Sequence, residues 1–160
     1  MKLHNTKIDI KKETREQIAT ILNQSLADAA DLKSQAKQAH WNVKGPNFIA
    51  LHELFDQVAT ELETHIDDLA ERITTLGGTA MGTVRLAAAH SSLEEYPHEI
   101  TDGAAHVDAL SSALADFGKK ARKAIDATDE LGDADTADLY TGISRGIDKL
   151  LWFVEAHQQG

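Results

Sequence analysis

From Phe48 to Leu76 the chain runs without a glycine or proline, and Phe48, Leu51, Phe55, Val58, Leu62, Ile66, Leu69, Ile73 and Leu76 recur along it at threes and fours. That spacing lays one apolar stripe along a helix of about 30 residues, roughly 45 Å long. Gly77-Gly78 ends it. A helix buried along one side needs other helices to lie against, and the chain supplies them. Ile18, Leu22, Leu26, Ala29, Leu32, Ala36 and Ala39 mark a preceding helix that stops near Trp41, where Lys44-Gly45-Pro46-Asn47 closes one helix and Pro46 or Asn47 opens the next. Val107, Leu110, Leu114, Phe117, Ala121 and Ile125 mark a third, after Thr101-Asp102. Tyr140, Ile143, Ile147, Leu150 and Val154 mark a fourth, after an acidic turn from Asp129 to Asp138. The expected fold is an all-α four-helix bundle in one domain.

Between Gly78 and Tyr96-Pro97 the stretch Thr83 to His90 is expected to form a short extra helix capped by Thr83. This middle connection is too long for a plain hairpin loop. It either crosses over the bundle or adds a lid to an up-down bundle, and periodicity is compatible with both. Gly142 and Gly146, four apart on the last helix, each weaken it by about 1 kcal/mol relative to Ala, which close approach of another helix would offset.

Charge narrows the partners. Asp and Glu number 26 against 16 Lys and Arg, a formal charge of −10, so the body repels nucleic acid and anionic membrane and favours a cation. With no cysteine there is no disulfide, zinc knuckle, iron–sulfur cluster or thiol nucleophile; carboxylates and the 8 histidines are the available metal ligands. The N-terminus lacks an apolar stretch of signal-peptide length, and no run approaches a membrane span, so the expectation is a soluble, cytoplasmic protein.

The second helix carries another stripe beside the apolar one: His52, Asp56, Glu63, Asp67 and Glu71. His52 with Asp56, and Asp67 with Glu71, are i,i+4 pairs able to present two ligands to one ion. Acidic residues on a helix are ordinarily a solvated face. Flanking the buried seam, these are instead expected to be partly desolvated, which is costly for carboxylates without a cation. His52 and Asp67 are separated by about 22 Å along a straight helix, so both pairs cannot serve one ion within one chain. Two copies of this helix running antiparallel in an isologous dimer would bring them together as two equivalent sites. His40, at the end of the first helix, is a reasonable further ligand. Glu-x-x-His spacing, the mark of an intrachain di-iron centre, occurs only at Glu95 to His98, where Pro97 spoils a helical pair.

The segment Gln38-Ala-His-Trp-Asn-Val-Lys-Gly-Pro-Asn-Phe-Ile-Ala-Leu-His52, followed by Asp56, Asp67 and Glu71, closely resembles the Dps family of mini-ferritins. The likeness runs nearly end to end. It includes Glu71-Arg-Ile, Leu76-Gly-Gly, Asp138-Leu-Tyr-Thr and the ending Asp148-Lys-Leu-Leu-Trp-Phe-Val-Glu-Ala-His157. The resemblance implies a ferritin-like bundle, residues 16–158, behind an N-terminal tail, residues 1–15. It implies a hollow homo-dodecamer built from dimers that oxidises Fe(II), preferentially with hydrogen peroxide, and stores ferric mineral, protecting DNA from oxidative damage. The implied activity is ferroxidase, with iron bound by His40, His52 and Asp56 of one subunit and Asp67 and Glu71 of its partner.

Further roles follow from the same likeness. Trp41, beside His40, is a candidate electron donor for stray oxidant, or else an aromatic core plug. The acidic turn resembles the family's iron-entry pore, through Asp129, Asp133 and Asp138, although one position often acidic in relatives is Ala134 here; a solvated capping loop is the plainer reading. Many relatives bind DNA through a Lys-rich tail. Here Lys2, Lys7, Lys11, Lys12 and Arg15 outnumber Asp9 and Glu13, so twelve tails acting together would give salt-sensitive, sequence-independent binding and a place at the nucleoid. Alternatively, Lys11, Lys12 and Arg15 are the solvated first turns of the first helix. The competing function is a mainly structural, nucleoid-compacting protein in which metal binding is secondary.

Overall fold

The computed structural model describes residues 3–159, among which the elements are α1 (Lys12–Asn42), α2 (Phe48–Thr75), α3 (Val84–His90), α4 (Gly103–Glu130) and α5 (Ala134–Glu155). It is the expected all-α, ferritin-like bundle of four long helices with α3 in the middle connection. The apolar stripes meet in one core, where Phe55, Phe117, Leu62 and Leu110 are essentially inaccessible. Tyr140 joins them, and its hydroxyl donates to Ser25 Oγ at 2.8 Å. No helix is long and apolar enough to cross a membrane among the described residues.

Helix ends follow the local chemistry. Asp102 accepts from Ala104 N at 3.0 Å and Ala105 N at 3.2 Å, and Thr83 Oγ1 accepts from Leu86 N at 3.4 Å. Past α2, Gly77 takes φ +87° while its N–H donates to Thr74 O and that of Gly78 to Ile73 O, a paired closure that needs a left-handed residue. Gly132, φ +81°, repeats it after α4. The expected acidic turn therefore shrinks: Asp129 and Glu130 end α4, and Asp135 and Asp138 lie in α5.

The middle connection crosses over. Lys44, at the α1–α2 turn, donates its N–H to Thr101 O at 2.8 Å just before α4 begins, while Arg72, near the end of α2, bonds Asp133, just before α5 begins. Thus α4 starts at the end of the bundle where α2 starts, and the connection from Gly77 to Asp102 spans its length. It is laid along α1 on a polar stripe. Gln24 Nε2 donates to His90 O (2.8 Å), Asp28 accepts from Ser92 N (2.7 Å), and Gln35 Nε2 donates to Glu94 O (3.1 Å). Asp28 is 1% exposed. α1 thus has two covered faces, one apolar and one polar.

The N-terminal segment differs from a 15-residue tail. α1 begins at Lys12, and Arg15 is buried, its Nη1 donating to Leu76 O at 2.7 Å and its Nε to Ile10 O at 3.1 Å. Leu3 is buried, His4 N–H donates to Gly77 O at 2.7 Å and Ile10 packs against the core, so these three residues tie the segment before α1 to this end of the bundle. Lys2 falls outside the described residues. The close approach expected at Gly142 and Gly146 occurs at one of them. A Cβ on Gly146 would stand 2.9 Å from His65 Nε2, whereas one on Gly142 would meet nothing within 4 Å.

Candidate metal centre

The turn after α1 brings its last helical turn against the first turns of α2, and this sets His40 beside His52. Their rings stack with centroids 3.8 Å apart, at 21°. His40 Nδ1 donates to His52 O at 2.7 Å, and His52 Nδ1 donates to His40 O at 2.8 Å. The His40 carbonyl lies in the last turn of α1, where the helix has no further amide to offer it. Both Nδ1 protons are consumed, so both imidazoles keep the Nε2 lone pair for a metal, the arrangement in which a second hydrogen bond sets a ligand's tautomer. Phe48 stands 5.1 Å from the His52 ring.

Asp56, one turn beyond His52, is exposed, and its Oδ1 lies 2.6 Å from Lys37 Nζ. The hydrogen bond from that ammonium holds its pKa below the ordinary carboxylate value, with the histidines adding to the effect. Lys37 also lies over the Trp41 ring, 5.7 Å from its centroid. Trp41 is 66% exposed, which removes the core-plug reading.

Asp67 and Glu71, toward the other end of α2, are exposed, and neither has an ion-pair partner among the described residues. The expected partial desolvation of the acidic stripe is therefore not met within the chain. Glu63 is paired with Lys33 on the surface, and Asp56, Asp67 and Glu71 sit on an edge of α2 that α1 and α5 leave open. No three metal-binding side chains converge among the described residues. What the chain holds is two partial donor sets: two imidazoles with a carboxylate at one end of α2, and two unpaired carboxylates at the other. Oxygen and imidazole donors of this kind suit hard or borderline divalent cations.

The acidic residues near α5 divide by burial. Asp129 and Asp138 are exposed. Asp133 is 3% exposed and caps α5: its oxygens accept from Arg72 Nη2 at 2.7 and 2.9 Å and from Thr136 Oγ1 and N at 2.5 and 3.1 Å. Burial alone would raise its pKa, but the bonds from Thr136 and Arg72 outweigh that and lower it. A carboxylate so engaged does not face a channel, which corrects the pore assignment for Asp133. Lys7, Lys11 and Lys12 are exposed. Reading of the sequence passed over Lys37 and Arg72. Lys37 precedes His40 by three residues, a same-face spacing that was available; Arg72 had no local signal, because its partner is 61 residues away.

A ferritin-like domain family model matches residues 19–160. The DNA protection during starvation protein of Agrobacterium fabrum is 47% identical over 159 residues, 99% of this chain and 98% of that protein. Among solved structures, DpsC from Streptomyces coelicolor superposes with TM-score 0.94 at 30% identity, covering 99% of this chain and 92% of its own. The Dps of Microbacterium arborescens, solved in a high iron form, superposes with TM-score 0.85 at 34% identity, over 91% of this chain and 95% of its own.

Proposed function

The chain belongs to the Dps family of ferritin-like proteins, and from that premise we propose that it is a ferroxidase that takes Fe(II) as substrate and stores the ferric product. His40, His52 and Asp56 bind iron together with Asp67 and Glu71 of the partner subunit, across the interface of an antiparallel dimer. The observation that carries this reading is the reciprocal His40–His52 hydrogen bonding, which leaves two Nε2 lone pairs free, with Asp56 one turn beyond His52 and with Asp67 and Glu71 unpaired about 22 Å away along the same helix. One chain cannot close that set and two antiparallel copies can.

The residues divide the work. Lys37 holds the Asp56 charge before iron arrives and yields it to the incoming cation, turning toward Trp41. Carboxylates bind Fe(III) more tightly than Fe(II) and so favour loss of the electron. Hydrogen peroxide is the preferred oxidant: two Fe(II), one peroxide and two protons give two Fe(III) and two waters, with no radical released. Protection of DNA follows from that stoichiometry. Dimers assemble into a hollow homo-dodecamer, with Asp129 and Asp138 lining an iron entry, and the protein works in the cytoplasm.

The same fold admits a second reading, structural compaction of the nucleoid. The ties at Leu3, His4 and Ile10 shorten any free basic tail, and the net charge is −10, so DNA contact rests on Lys2, Lys7, Lys11 and Lys12 acting in parallel from many subunits.

Stopped-flow Fe(II) oxidation with peroxide and with dioxygen tests the main reading, comparing wild type with a His40→Gly, His52→Gly, Asp67→Asn variant. Wild type should be faster with peroxide and the variant slow with both; equal rates would sink the assignment. A solution mass far below twelve subunits would sink the cage.

A further inference from the structure

Tyr96 and His106 form a polar pair inside the bundle that the iron ligands do not use. Tyr96, on the crossover, is 9% exposed, and His106, in the first turn of α4, is 1% exposed. The phenol donates to His106 Nδ1 at 2.7 Å, and the rings lie nearly parallel, 6.0 Å apart at 17°. Phe55 continues the series, its ring 6.4 Å from that of His106. It sits next to Asp56 on the turn of α2 that carries His52.

Burial lowers the His106 pKa and keeps the imidazole neutral, and burial raises that of the Tyr96 phenol far above its usual value. The proton therefore rests on the phenol oxygen, with a basic lone pair directly in front of it. The backbone carbonyls of Ile100 and Asn42 also lie close to the imidazole, and Asn42 is two residues past His40 at the end of α1.

The protein supplies its own control. It has two tyrosines, and the other, Tyr140, donates to Ser25 Oγ at 2.8 Å. A serine hydroxyl is a far weaker proton acceptor than an imidazole, so Tyr140 lacks the partner that Tyr96 has. The two tryptophans, Trp41 and Trp152, lie on the surface of the single chain, 66% and 60% exposed, away from the buried pair.

We propose that Tyr96 is a one-electron donor, with His106 Nδ1 as its proton acceptor, that quenches hydroxyl radical formed when a lone Fe(II) meets hydrogen peroxide at the neighbouring ligand cluster. This rests on the ferroxidase reading and deepens it. Fe(II) and hydrogen peroxide give Fe(III), hydroxide and hydroxyl radical. The radical takes one electron from Tyr96 and becomes a second hydroxide, while the phenol O–H breaks and an N–H forms at His106 Nδ1. A neutral tyrosyl radical and an imidazolium remain. A second Fe(II) returns the electron as His106 returns the proton, so the pair is regenerated.

The test is freeze-quench electron paramagnetic resonance on the assembled protein, given less than one Fe(II) per site and excess peroxide. A tyrosyl signal is expected in wild type and in Tyr140→Phe, and is expected to vanish in Tyr96→Phe. In His106→Gln, which keeps a hydrogen-bonding group but no base, its yield should drop roughly tenfold or more. Oxidation of Trp41 and Trp152, read by mass spectrometry, should rise in Tyr96→Phe. Thermal melts of the three variants identify any that are misfolded, and deuterated-tyrosine labelling of the wild type assigns the radical without a substitution. Absence of a tyrosyl signal in wild type, or its persistence in Tyr96→Phe, overturns the inference. Fe(II) oxidation rates measured on the same samples report the ferroxidase reading separately: a normal rate with no tyrosyl signal sinks only the role of Tyr96.

Discussion

His40 and His52 each donate the Nδ1 proton to the other's backbone carbonyl, at 2.7 and 2.8 Å, with their rings stacked 3.8 Å apart. Each ring is thus held by the backbone of its neighbour and by stacking on its ring, so loss of either side chain leaves the other its carbonyl acceptor but removes its stacking support. His52→Ala should weaken binding of a redox-silent surrogate such as Zn(II) or Co(II) by more than one lost ligand, on the order of 100-fold, whereas Asp67→Asn should cost about 10-fold. Calorimetric titration of the assembled protein checks the ratio; equal losses would mean the two histidines act independently.

Lys37 is the counterion of Asp56. Its removal in Lys37→Met should let the Asp56 pKa rise toward 3.8, since the ammonium hydrogen bond is the main cause of its depression. Carbon-detected titration of the Asp56 carboxyl reads this directly. The same variant frees the carboxylate at neutral pH, so surrogate metal should bind more tightly, by roughly 3-fold for an exposed pair. Weaker binding would show that Lys37 supports the metal instead of standing in for it.

Asp133 and Asp138 lie five positions apart and should respond in opposite ways. Asp133→Asn breaks a buried pair with Arg72 and weakens the cap of α5, at a cost of about 3 kcal/mol in unfolding free energy, with little change in iron uptake. Asp138→Asn, at an exposed position, should slow iron uptake and leave the melting temperature within a degree or two. Uptake and melting curves on both variants separate the roles, and an unchanged uptake rate in Asp138→Asn removes the entry path.

The same carboxylate predicts an acid limit. The folded pKa of Asp133 lies below its ordinary 3.8, so its contribution is fully present above that value and is lost as pH falls through the folded pKa. Wild type should therefore lose stability more steeply than Asp133→Asn below about pH 4. Parallel acid-unfolding curves would show the pair is inert.

Two glycines on helix-related positions should also part company. Gly77→Ala places a Cβ 2.6 Å from His4 O at φ +87°, where both the N-terminal segment and the left-handed turn resist it; a loss of about 2 kcal/mol is expected. Gly142→Ala meets nothing within 4 Å in the chain and should gain about 0.5–1 kcal/mol from helix propensity. Thermal unfolding decides each, and a destabilised Gly142→Ala would show that a neighbouring subunit packs on that turn.

The four apolar stripes, the stops at Gly45 and Gly77, and the cap at Thr83 were all legible in the sequence, because each depends on groups within one or two turns of one another. So was the spacing of the residues proposed as ligands. The direction of the middle connection was not, since periodicity records that a face is covered and not by what. The polar stripe of α1 reads as a solvent face until Ser92 and Glu94 are laid on Asp28 and Gln35. Arg15 reads as a tail charge until its guanidinium meets Leu76 O, 61 residues away, and Asp133 reads as a channel carboxylate until Arg72 takes it. Local spacing determined the helices and aligned the donors along them; only the tertiary structure decided which charges were consumed inside the fold, because those hydrogen bonds join groups that no local pattern relates.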